Sequence, residues 1–290
     1  MSCDKSLKTR NIIKAALAED IGKGDITAEL MIPQGEKANA VIQAGEEGIV
    51  CGIHIAGLVF KLLDKGIKFT PKVKDGERIK KGQILAMIRG KAASILRGER
   101  VALNFLGMLS GIATRTGKFV DKIKNYNTKL MDTRKTLPGL RELQKYAVKT
   151  GGGYNHRFRL DEMVLIKDNH LRVTGFGLGI TELKDLIKEI RKRTPPGMKI
   201  EIEVRNLKEF KHALEAKPDI IMLDNMGVDK IKKAVIMRSK KKGGDAPKIE
   251  ASGNIELENI SEYARSGVDF ISLGTLTKDV HSLDLSLEIK

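Results

Sequence analysis

The segment from residue 129 to residue 273 constrains the fold most, because strand-like and helix-like patterns alternate throughout it. Six short apolar segments are predicted to be strands: 129–132, 163–167, 199–204, 219–224, 248–251 and 269–273. Amphipathic segments between them are predicted to be helices: 138–149, 181–192, 207–216, 228–239 and 256–266. Such βα alternation indicates a parallel sheet, which is either doubly wound or closed as a barrel.

Polar side chains or glycines stand at the carboxyl end of every predicted strand. In chain order they are Arg134 and Lys135, Lys167 and Asp168, Glu203, Asp224 and Asn225, Ser252 and Gly253, and Gly274. A doubly wound sheet needs functional residues only at the switch point of its strand order. A barrel builds its active site from the loops after all of its strands, so this distribution favours a barrel.

The first strand end, in the stretch MDTRKTLPGLR, carries the two adjacent cations Arg134 and Lys135. Pro138 opens the next helical pattern, at a position where its missing N–H loses no hydrogen bond. Two cations at a strand-to-helix transition are typical of an anion site. In a chain with 53 lysines and arginines, a solvated basic loop is the alternative, and the stretch alone is compatible with both.

The third strand contains Glu201 and Glu203, which lie two residues apart and therefore on the same face. Acids that face a barrel interior are costly unless they are paired or bind a metal. Glu201 is expected to form a structural ion pair with a neighbouring lysine, whereas Glu203 is expected to meet Asp224 near the mouth. Two carboxylates facing a phosphate pocket would suit water-mediated Mg²⁺ binding or support of a cationic transition state.

The loop GGGYNHR adds two further side chains that recognise anions, His156 and Arg157. Lys167 has two interpretations: a Schiff-base nucleophile of an aldolase-like barrel, or one cation in a pocket for a multiply anionic ligand. The fifth and sixth strand ends are small, contain glycine and are predicted to be followed by helices. Barrel enzymes bind phosphate at such ends, on backbone N–H groups at helix N-termini.

The first third of the chain has a different pattern. It predicts a helix that ends near Asp20, a small β layer within 38–90, and a long helical stretch within 92–124. Glycines in that stretch indicate close packing or a break near Ser110 and Gly111. We therefore predict an N-terminal domain over 1–110 and a barrel over 111–275, with a last strand within 276–290 that returns to the N-terminal sheet.

Composition narrows the classes of partner. The net charge of +16 attracts anions, but aromatic residues are only 4% and tryptophan is absent, so stacking surfaces for nucleic acid are few. Generic RNA binding, which would be salt-sensitive, remains the alternative outside enzymes. No apolar run reaches membrane-spanning length and the N-terminus lacks an apolar signal region, which predicts a cytoplasmic protein. Cys3 and Cys51 form no disulfide framework, in keeping with a reducing compartment.

Several motifs together resemble the quinolinate phosphoribosyltransferase family, also called nicotinate-nucleotide pyrophosphorylase (carboxylating). They are EDIGKGDIT, GERVALNFLGMLSGIAT, DTRKTLPGLR, GGGYNHR with LIKDNH, EIEV with MLDN, and SGN with ISLGTLT. The resemblance spans nearly the whole chain. It implies an N-terminal α/β sandwich followed by an incomplete α/β barrel of six or seven strands. It also implies the conversion of quinolinate and phosphoribosyl pyrophosphate into nicotinate mononucleotide, pyrophosphate and CO₂, a step of NAD biosynthesis.

The resemblance also implies roles for individual residues. The side chains that would hold the two carboxylates of quinolinate are Arg134, His156, Arg157 and Lys167, with Arg100 donated by the partner subunit of a homodimer. Those that would contact the phosphoribosyl donor are Lys135, Glu203 and Asp224, the two acids also holding Mg²⁺ through water. Thr133 would be a further substrate-binding residue. The residues that would bind the 5-phosphate are Ser252, Gly253 and Gly274. Glu203, Asp224, Lys135 and Lys167 would be the catalytic residues, and a hexamer built from three dimers is left open.

Four positions depart from the family pattern: Arg159, Glu162, Asn254 and Lys278. They lie in the NHR loop and at the phosphate end, and none of them is one of the central cations or acids. Within the same fold, the alternative is a related phosphoribosyltransferase that takes nicotinate, or a molybdenum-associated paralogue. The full set of cations favours a dicarboxylate substrate.

Overall fold

A computed structural model describes residues 7–175, 177, 179–241 and 246–290. Cys3, Lys242 and two positions of the glycine-rich 175–179 loop lie outside the described residues. The chain divides into two compact units. The first comprises residues up to Gly117, Lys135–Gly152 and Thr275–Lys290, and the second comprises Lys118–Arg134 and Gly153–Gly274.

The first unit is built on a four-stranded antiparallel sheet with the strand order β12-β1-β5-β3. The strands of this sheet are β1 (Lys37–Ala44), β3 (Lys68–Pro71), β5 (Ile84–Lys91) and β12 (Leu285–Ile289). The unit also contains the short strands β2 (Gly48–Ile49) and β4 (Arg78–Ile79), which form a separate two-stranded sheet. Its helices are α1 (Leu7–Ile21), α2 (Ile26–Met31), α3 (Ile53–Leu63), α5 (Arg141–Thr150), α11 (Thr275–Lys278) and most of α4 (Ala92–Ile123). The last strand, β12, pairs antiparallel with β1, and Ala40 lies opposite Ile289.

Helix α4 runs without interruption through Ser110 and Gly111, so the predicted break is wrong. The glycines are there for close packing instead. A Cβ atom at Gly111 would lie 1.8 Å from the carbonyl oxygen of His281, and one at Gly107 would lie 3.0 Å from that of Leu283. The predicted domain boundary at 110/111 therefore falls inside a continuous helix, and the division between the two units follows Gly117.

The second unit contains a six-stranded, wholly parallel sheet with the order β6-β11-β10-β9-β8-β7. Its strands are β6 (Lys129–Met131), β7 (Val164–Ile166), β8 (Ile200–Val204), β9 (Ile220–Asp224), β10 (Lys248–Ser252) and β11 (Phe270–Ser272). Its helices are α6 (Asp168–Thr174), α7 (Ile180–Arg193), α8 (Leu207–Ala216), α9 (Val228–Ser239) and α10 (Ile260–Arg265). All six predicted strands are confirmed, and the order is that of a barrel left open between β6 and β7.

An isolated bridge covers part of the open edge of β6. Tyr154 pairs in parallel with Met131, donating its N–H to the carbonyl oxygen of Leu130 and accepting the N–H of Asp132 on its own carbonyl. The bridge brings the NHR loop to the carboxyl end of β6. Helix α6, directly after β7, was not predicted, because its seven residues are too few for a clear amphipathic pattern.

Two aspartates make the same set of contacts at the amino ends of the strands, which lie opposite the carboxyl ends described above. Asp219, before β9, accepts the N–H of Ile200 at 2.9 Å and pairs with Lys199 and Arg191. Asp269, before β11, accepts the N–H of Ile249 at 2.9 Å and pairs with Lys248 and Arg238. Each carboxylate thus fixes the start of a neighbouring strand.

Among the described helices, none is long and apolar enough to cross a membrane.

Candidate active site

Asp132 at the end of β6 organises the first corner of the site. Its carboxylate is fully buried and accepts the side-chain amide of Asn155 at 2.6 Å and the backbone N–H of His156 at 2.9 Å. These bonds tie the NHR loop to the residues that follow β6, Thr133 and Arg134, both of which are partly buried. The loop and the strand end therefore deliver their cations to the same corner.

Arg134 and Arg157 are the two cations of that corner. The guanidinium of Arg157 donates from Nη1 to the carbonyl oxygen of Met163 at 2.8 Å. Burial and the like charge of Arg134 lower the pKa of Arg157, while Glu201 opposes that effect. Two guanidiniums close enough to repel each other form a strong site for an anion that carries two carboxylates.

His156 is buried behind this corner, and both of its ring nitrogens contact the protein. Nδ1 accepts the backbone N–H of Arg157 at 2.8 Å. Nε2 lies 3.0 Å from Oε2 of Glu201 and 3.6 Å from Oε2 of Glu250. Glu201 was expected to pair with a lysine, and its partner is a histidine instead. That His156 binds the substrate stays a prediction; in the structure its ring lies between the N–H of Arg157 and the two acids.

Glu201 on β8 and Glu250 on β10 are both fully buried. Burial and the neighbouring Glu250 carboxylate raise the pKa of Glu201 to about 7. Burial alone would disfavour a charged imidazole, but the two carboxylates outweigh it and raise the pKa of His156. Because Nδ1 of His156 accepts the N–H of Arg157, the imidazole proton lies on Nε2, facing the two carboxylates.

A second corner carries the acids. Nζ of Lys167, at the end of β7, lies 3.9 Å from Oε2 of Glu203 at the end of β8. Burial and the nearby charge of Asp224 raise the pKa of Glu203. Two acids that repel each other at an open mouth fit a hard divalent cation such as Mg²⁺, which prefers carboxylate oxygens and retained waters. Lys167 is exposed and ion-paired, unlike the buried lysine of a Schiff-base enzyme.

Arg205 contacts two acids of this corner and was not predicted from the sequence. Its Nη2 lies 2.8 Å from Oδ2 of Asp168, and its Nε lies 3.9 Å from Oδ2 of Asp224. With Asp168, Glu203 and Arg172, Arg205 lines a cleft of about 450 Å³. The cleft therefore combines carboxylates with cations that offset part of their charge.

The end of β10 carries the residues that were predicted to bind phosphate. Gly253 has a left-handed φ of +92°, and a Cβ atom there would lie 2.2 Å from Oδ1 of Asn225. Asn225 accepts the side-chain amide of Asn254 at 3.1 Å and donates its backbone N–H to the carbonyl oxygen of Ser252. Asn254 has a left-handed φ of 54°, which asparagine tolerates better than most residues, so it can replace a glycine of the family pattern.

The other departures form local ion pairs. Arg159 lies 3.3 Å from Asp161 and 3.5 Å from Glu162, and Glu162 also accepts the N–H of Phe158. Lys278 lies 3.5 Å from Asp279. These contacts are exposed, so each is worth little stability.

The structure brings most of the predicted site residues together in the second unit. They are Thr133, Arg134, His156, Arg157, Lys167, Glu203, Asp224, Ser252, Gly253 and Gly274. The two remaining residues, Arg100 on α4 and Lys135, are exposed residues of the first unit. The carbonyl oxygen of Lys135 accepts the hydroxyl of Thr277 at 2.7 Å.

Comparisons with known proteins agree over the whole length. A family model described as "Quinolinate phosphoribosyl transferase, C-terminal domain" matches residues 112–288, and one described as "Quinolinate phosphoribosyl transferase, N-terminal domain" matches residues 25–110. The chain is 48% identical over 282 residues to a probable nicotinate-nucleotide pyrophosphorylase (carboxylating) of Methanocaldococcus jannaschii, covering 96% of each protein.

A second relative is a probable nicotinate-nucleotide pyrophosphorylase (carboxylating) of Synechocystis, 40% identical over 273 residues, with 94% of this chain and 90% of that protein covered. The solved structure of the nicotinate-nucleotide pyrophosphorylase from Francisella tularensis is 40% identical. It superposes with a TM-score of 0.88, covering 98% of this chain and 96% of that one.

Proposed function

The chain belongs to the quinolinate phosphoribosyltransferase family, and from that premise we propose how the two corners of its site divide the reaction. Its activity is that of a nicotinate-nucleotide pyrophosphorylase (carboxylating), which converts quinolinate to nicotinate mononucleotide in NAD biosynthesis. The substrates are quinolinate and phosphoribosyl pyrophosphate. What remains to be assigned is which residues bind each substrate.

We propose that Arg134, Arg157 and Lys167 bind the two carboxylates of quinolinate. The observation that carries this assignment is that Asp132 and the Tyr154 bridge hold the NHR loop at the end of β6, which brings Arg157 to the same corner as Arg134. Guanidiniums present paired donors that match carboxylate geometry, and a dianion relieves the repulsion between them. His156 supports this clamp from below, through the N–H of Arg157 on its Nδ1.

The donor side of the proposal places phosphoribosyl pyrophosphate against Glu203 and Asp224, with Lys135 as a further cation. The pyridine nitrogen attacks the anomeric carbon of the ribose as the bond to pyrophosphate breaks. The ribose then carries positive charge, which two carboxylates stabilise. Ser252, Gly253 and Gly274 would bind the 5-phosphate, since Gly253 allows the chain to turn there without a side chain.

Mg²⁺ fits the same acids, which would hold it through water. When bound, it would neutralise charge on the departing pyrophosphate. Once the ribose is attached, the bond between C2 and its carboxylate breaks and CO₂ leaves. The electron pair of that bond stays on C2, where the adjacent positively charged nitrogen stabilises it, and the pair then takes a proton. The cations of the clamp hold the ring while this occurs.

We further propose that the enzyme is a homodimer in which Arg100 of one subunit completes the clamp of the other. Arg100 is an exposed cation on α4, and a dianionic substrate gains from each added guanidinium. A hexamer of three dimers would use the same interface.

Product analysis tests the assignment of substrate. The purified protein is incubated with phosphoribosyl pyrophosphate, Mg²⁺ and either quinolinate or nicotinate. We expect equimolar CO₂, pyrophosphate and nicotinate mononucleotide from quinolinate, and little product from nicotinate, which lacks the second carboxylate. Faster turnover of nicotinate would instead favour a monocarboxylate phosphoribosyltransferase.

A further inference from the structure

Glu250 is a buried acid that the reaction scheme does not use. It lies in the middle of β10, is fully buried, and neither of its carboxylate oxygens receives a hydrogen bond from the part of the chain that the structure describes. Its polar neighbour is Nε2 of His156, at 3.6 Å, which Glu201 already contacts at 3.0 Å. Two interior carboxylates therefore share one imidazole, an arrangement that costs stability.

The cluster of His156, Glu201 and Glu250 is connected to the clamp in two ways. Nδ1 of His156 accepts the backbone N–H of Arg157, so the position of the imidazole determines the position of the Arg157 backbone. The negative charge of Glu201 also acts on the Arg157 guanidinium, against the repulsion from Arg134. Glu201 thus offsets part of the repulsion that Arg157 experiences from Arg134.

The same three side chains resemble a metal-binding set, since their ligand atoms lie within 4.8 Å of one another. The hydrogen bond at Nδ1 argues against that interpretation. A nitrogen that accepts an N–H carries no proton, so the proton of a neutral imidazole lies on Nε2. Nε2 then points an N–H at the carboxylates and has no lone pair for a metal.

We propose that Glu250 is a positioning residue for quinolinate binding, acting through His156 on Arg157. Together with Glu201 it holds the imidazole in one orientation, which in turn fixes the backbone N–H of Arg157 that the imidazole accepts. The inference rests on the proposed assignment of Arg134 and Arg157 to quinolinate. It explains why the interior keeps a carboxylate that an apolar side chain could replace at lower cost.

The test is Glu250→Gln, which keeps the shape and leaves one carboxylate for one imidazole. We expect the Kd of quinolinate, measured by calorimetry, to rise about tenfold through misplacement of Arg157, with the Kd of phosphoribosyl pyrophosphate unchanged. The midpoint of urea unfolding should stay the same or rise, because a buried charge is removed. An unchanged quinolinate Kd, or equal losses for both substrates with lower stability, would overturn the proposal.

Two further variants complete the design. In a double-mutant cycle with His156→Gln, the effects on quinolinate Kd should be strongly non-additive, and additive effects would contradict action through His156. Ser272→Ala removes another fully buried polar group, on neighbouring β11, and should leave both Kd values unchanged. If Arg134→Ala abolishes quinolinate binding while Glu250→Gln does not alter it, the clamp stands and only the role of Glu250 fails. If neither variant alters it, the clamp itself is wrong.

Discussion

Nη2 of Arg205 lies 2.8 Å from Oδ2 of Asp168, and the same guanidinium extends its Nε to within 3.9 Å of Asp224. One cation thus links the loop after β7 to the end of β9, next to Glu203. Three carboxylates and the two cations Lys167 and Arg205 meet at this mouth. A highly anionic donor can approach the acids only if enough of their charge is offset.

Removing Arg205 should therefore weaken donor binding. We expect Arg205→Gln to raise the Kd of phosphoribosyl pyrophosphate about fivefold and to leave the Kd of quinolinate unchanged. The Mg²⁺ concentration needed for half-maximal activity should rise as well. Arg172→Gln is the matched control, because Arg172 also faces Asp168, at 3.7 Å, but is 72% exposed. Equal effects of the two substitutions would show that only overall charge matters.

Gly253 provides a test of the phosphate end. Gly253→Ala places a Cβ against Asn225 and strains a left-handed backbone, so we expect about 1–3 kcal/mol lower stability and about a tenfold higher KM for the donor. Gly267→Ala is the control, since Gly267 has a similar φ of +89° and its Cβ would meet only Val235, at 3.3 Å. It should lose stability without a change in KM. A raised KM for phosphoribosyl pyrophosphate in the control would count against the assignment of Gly253 to phosphate binding.

Asp269 predicts a pH dependence of folding. Although burial opposes ionisation, the N–H of Ile249 and the cations of Lys248 and Arg238 lower the pKa of Asp269 below its ordinary value of 3.8. Its contribution is complete above pH 3.8 and is lost as the pH falls through the lower folded value. Urea unfolding should show Asp269→Asn to be about 2 kcal/mol less stable at pH 7, with a smaller difference near pH 3.

The control for that experiment is Asp229→Asn. Asp229 also faces a lysine, Lys232 at 3.8 Å, but it is 93% exposed. Its substitution should change stability little at either pH. A pH-independent loss in Asp269→Asn would mean that the carboxylate acts through its shape and not its charge.

Complementation tests the donated Arg100. Arg100→Ala and Arg134→Ala should each be nearly inactive alone. If Arg100 acts across the interface, a mixed dimer contains one site with both substitutions and one intact site. Random mixing makes half of the dimers mixed, so about a quarter of wild-type activity should return. If subunits exchange and no activity returns, Arg100 does not act across the interface. It then acts in the site of its own subunit or has no role in the site.

The parallel sheet was predictable because its evidence is local. Each strand, such as 200–204, is a short apolar run followed by a polar loop, and the regular spacing of these runs predicts the sheet without any knowledge of contacts. Glu203 and Asp224 followed from the same logic, since residues at the carboxyl ends of parallel strands share one edge. The family resemblance then separated the roles of neighbouring cations, which spacing alone left undivided.

What was missed depends on distant pairings. His156, Glu201 and Glu250 come from three separate segments, and no local pattern indicates that an imidazole serves both acids. A charged residue inside the buried strand KIEAS was the available signal for Glu250. Arg205 likewise acquires its partners from other loops. The wrong break in α4 has the same origin, because Gly111 alone does not reveal whether the helix bends or the His281 carbonyl packs against it.

The division of the site between two substrates is tested most directly by calorimetry on Arg134→Ala. The Kd of quinolinate and the Kd of phosphoribosyl pyrophosphate with Mg²⁺ are measured on the wild-type and variant proteins. Loss of the charged guanidinium, with its paired N–H groups, should weaken quinolinate binding about a hundredfold. It should change the Kd of phosphoribosyl pyrophosphate by less than about threefold. Equal losses for the two ligands would contradict the assignment of Arg134 to the dicarboxylate.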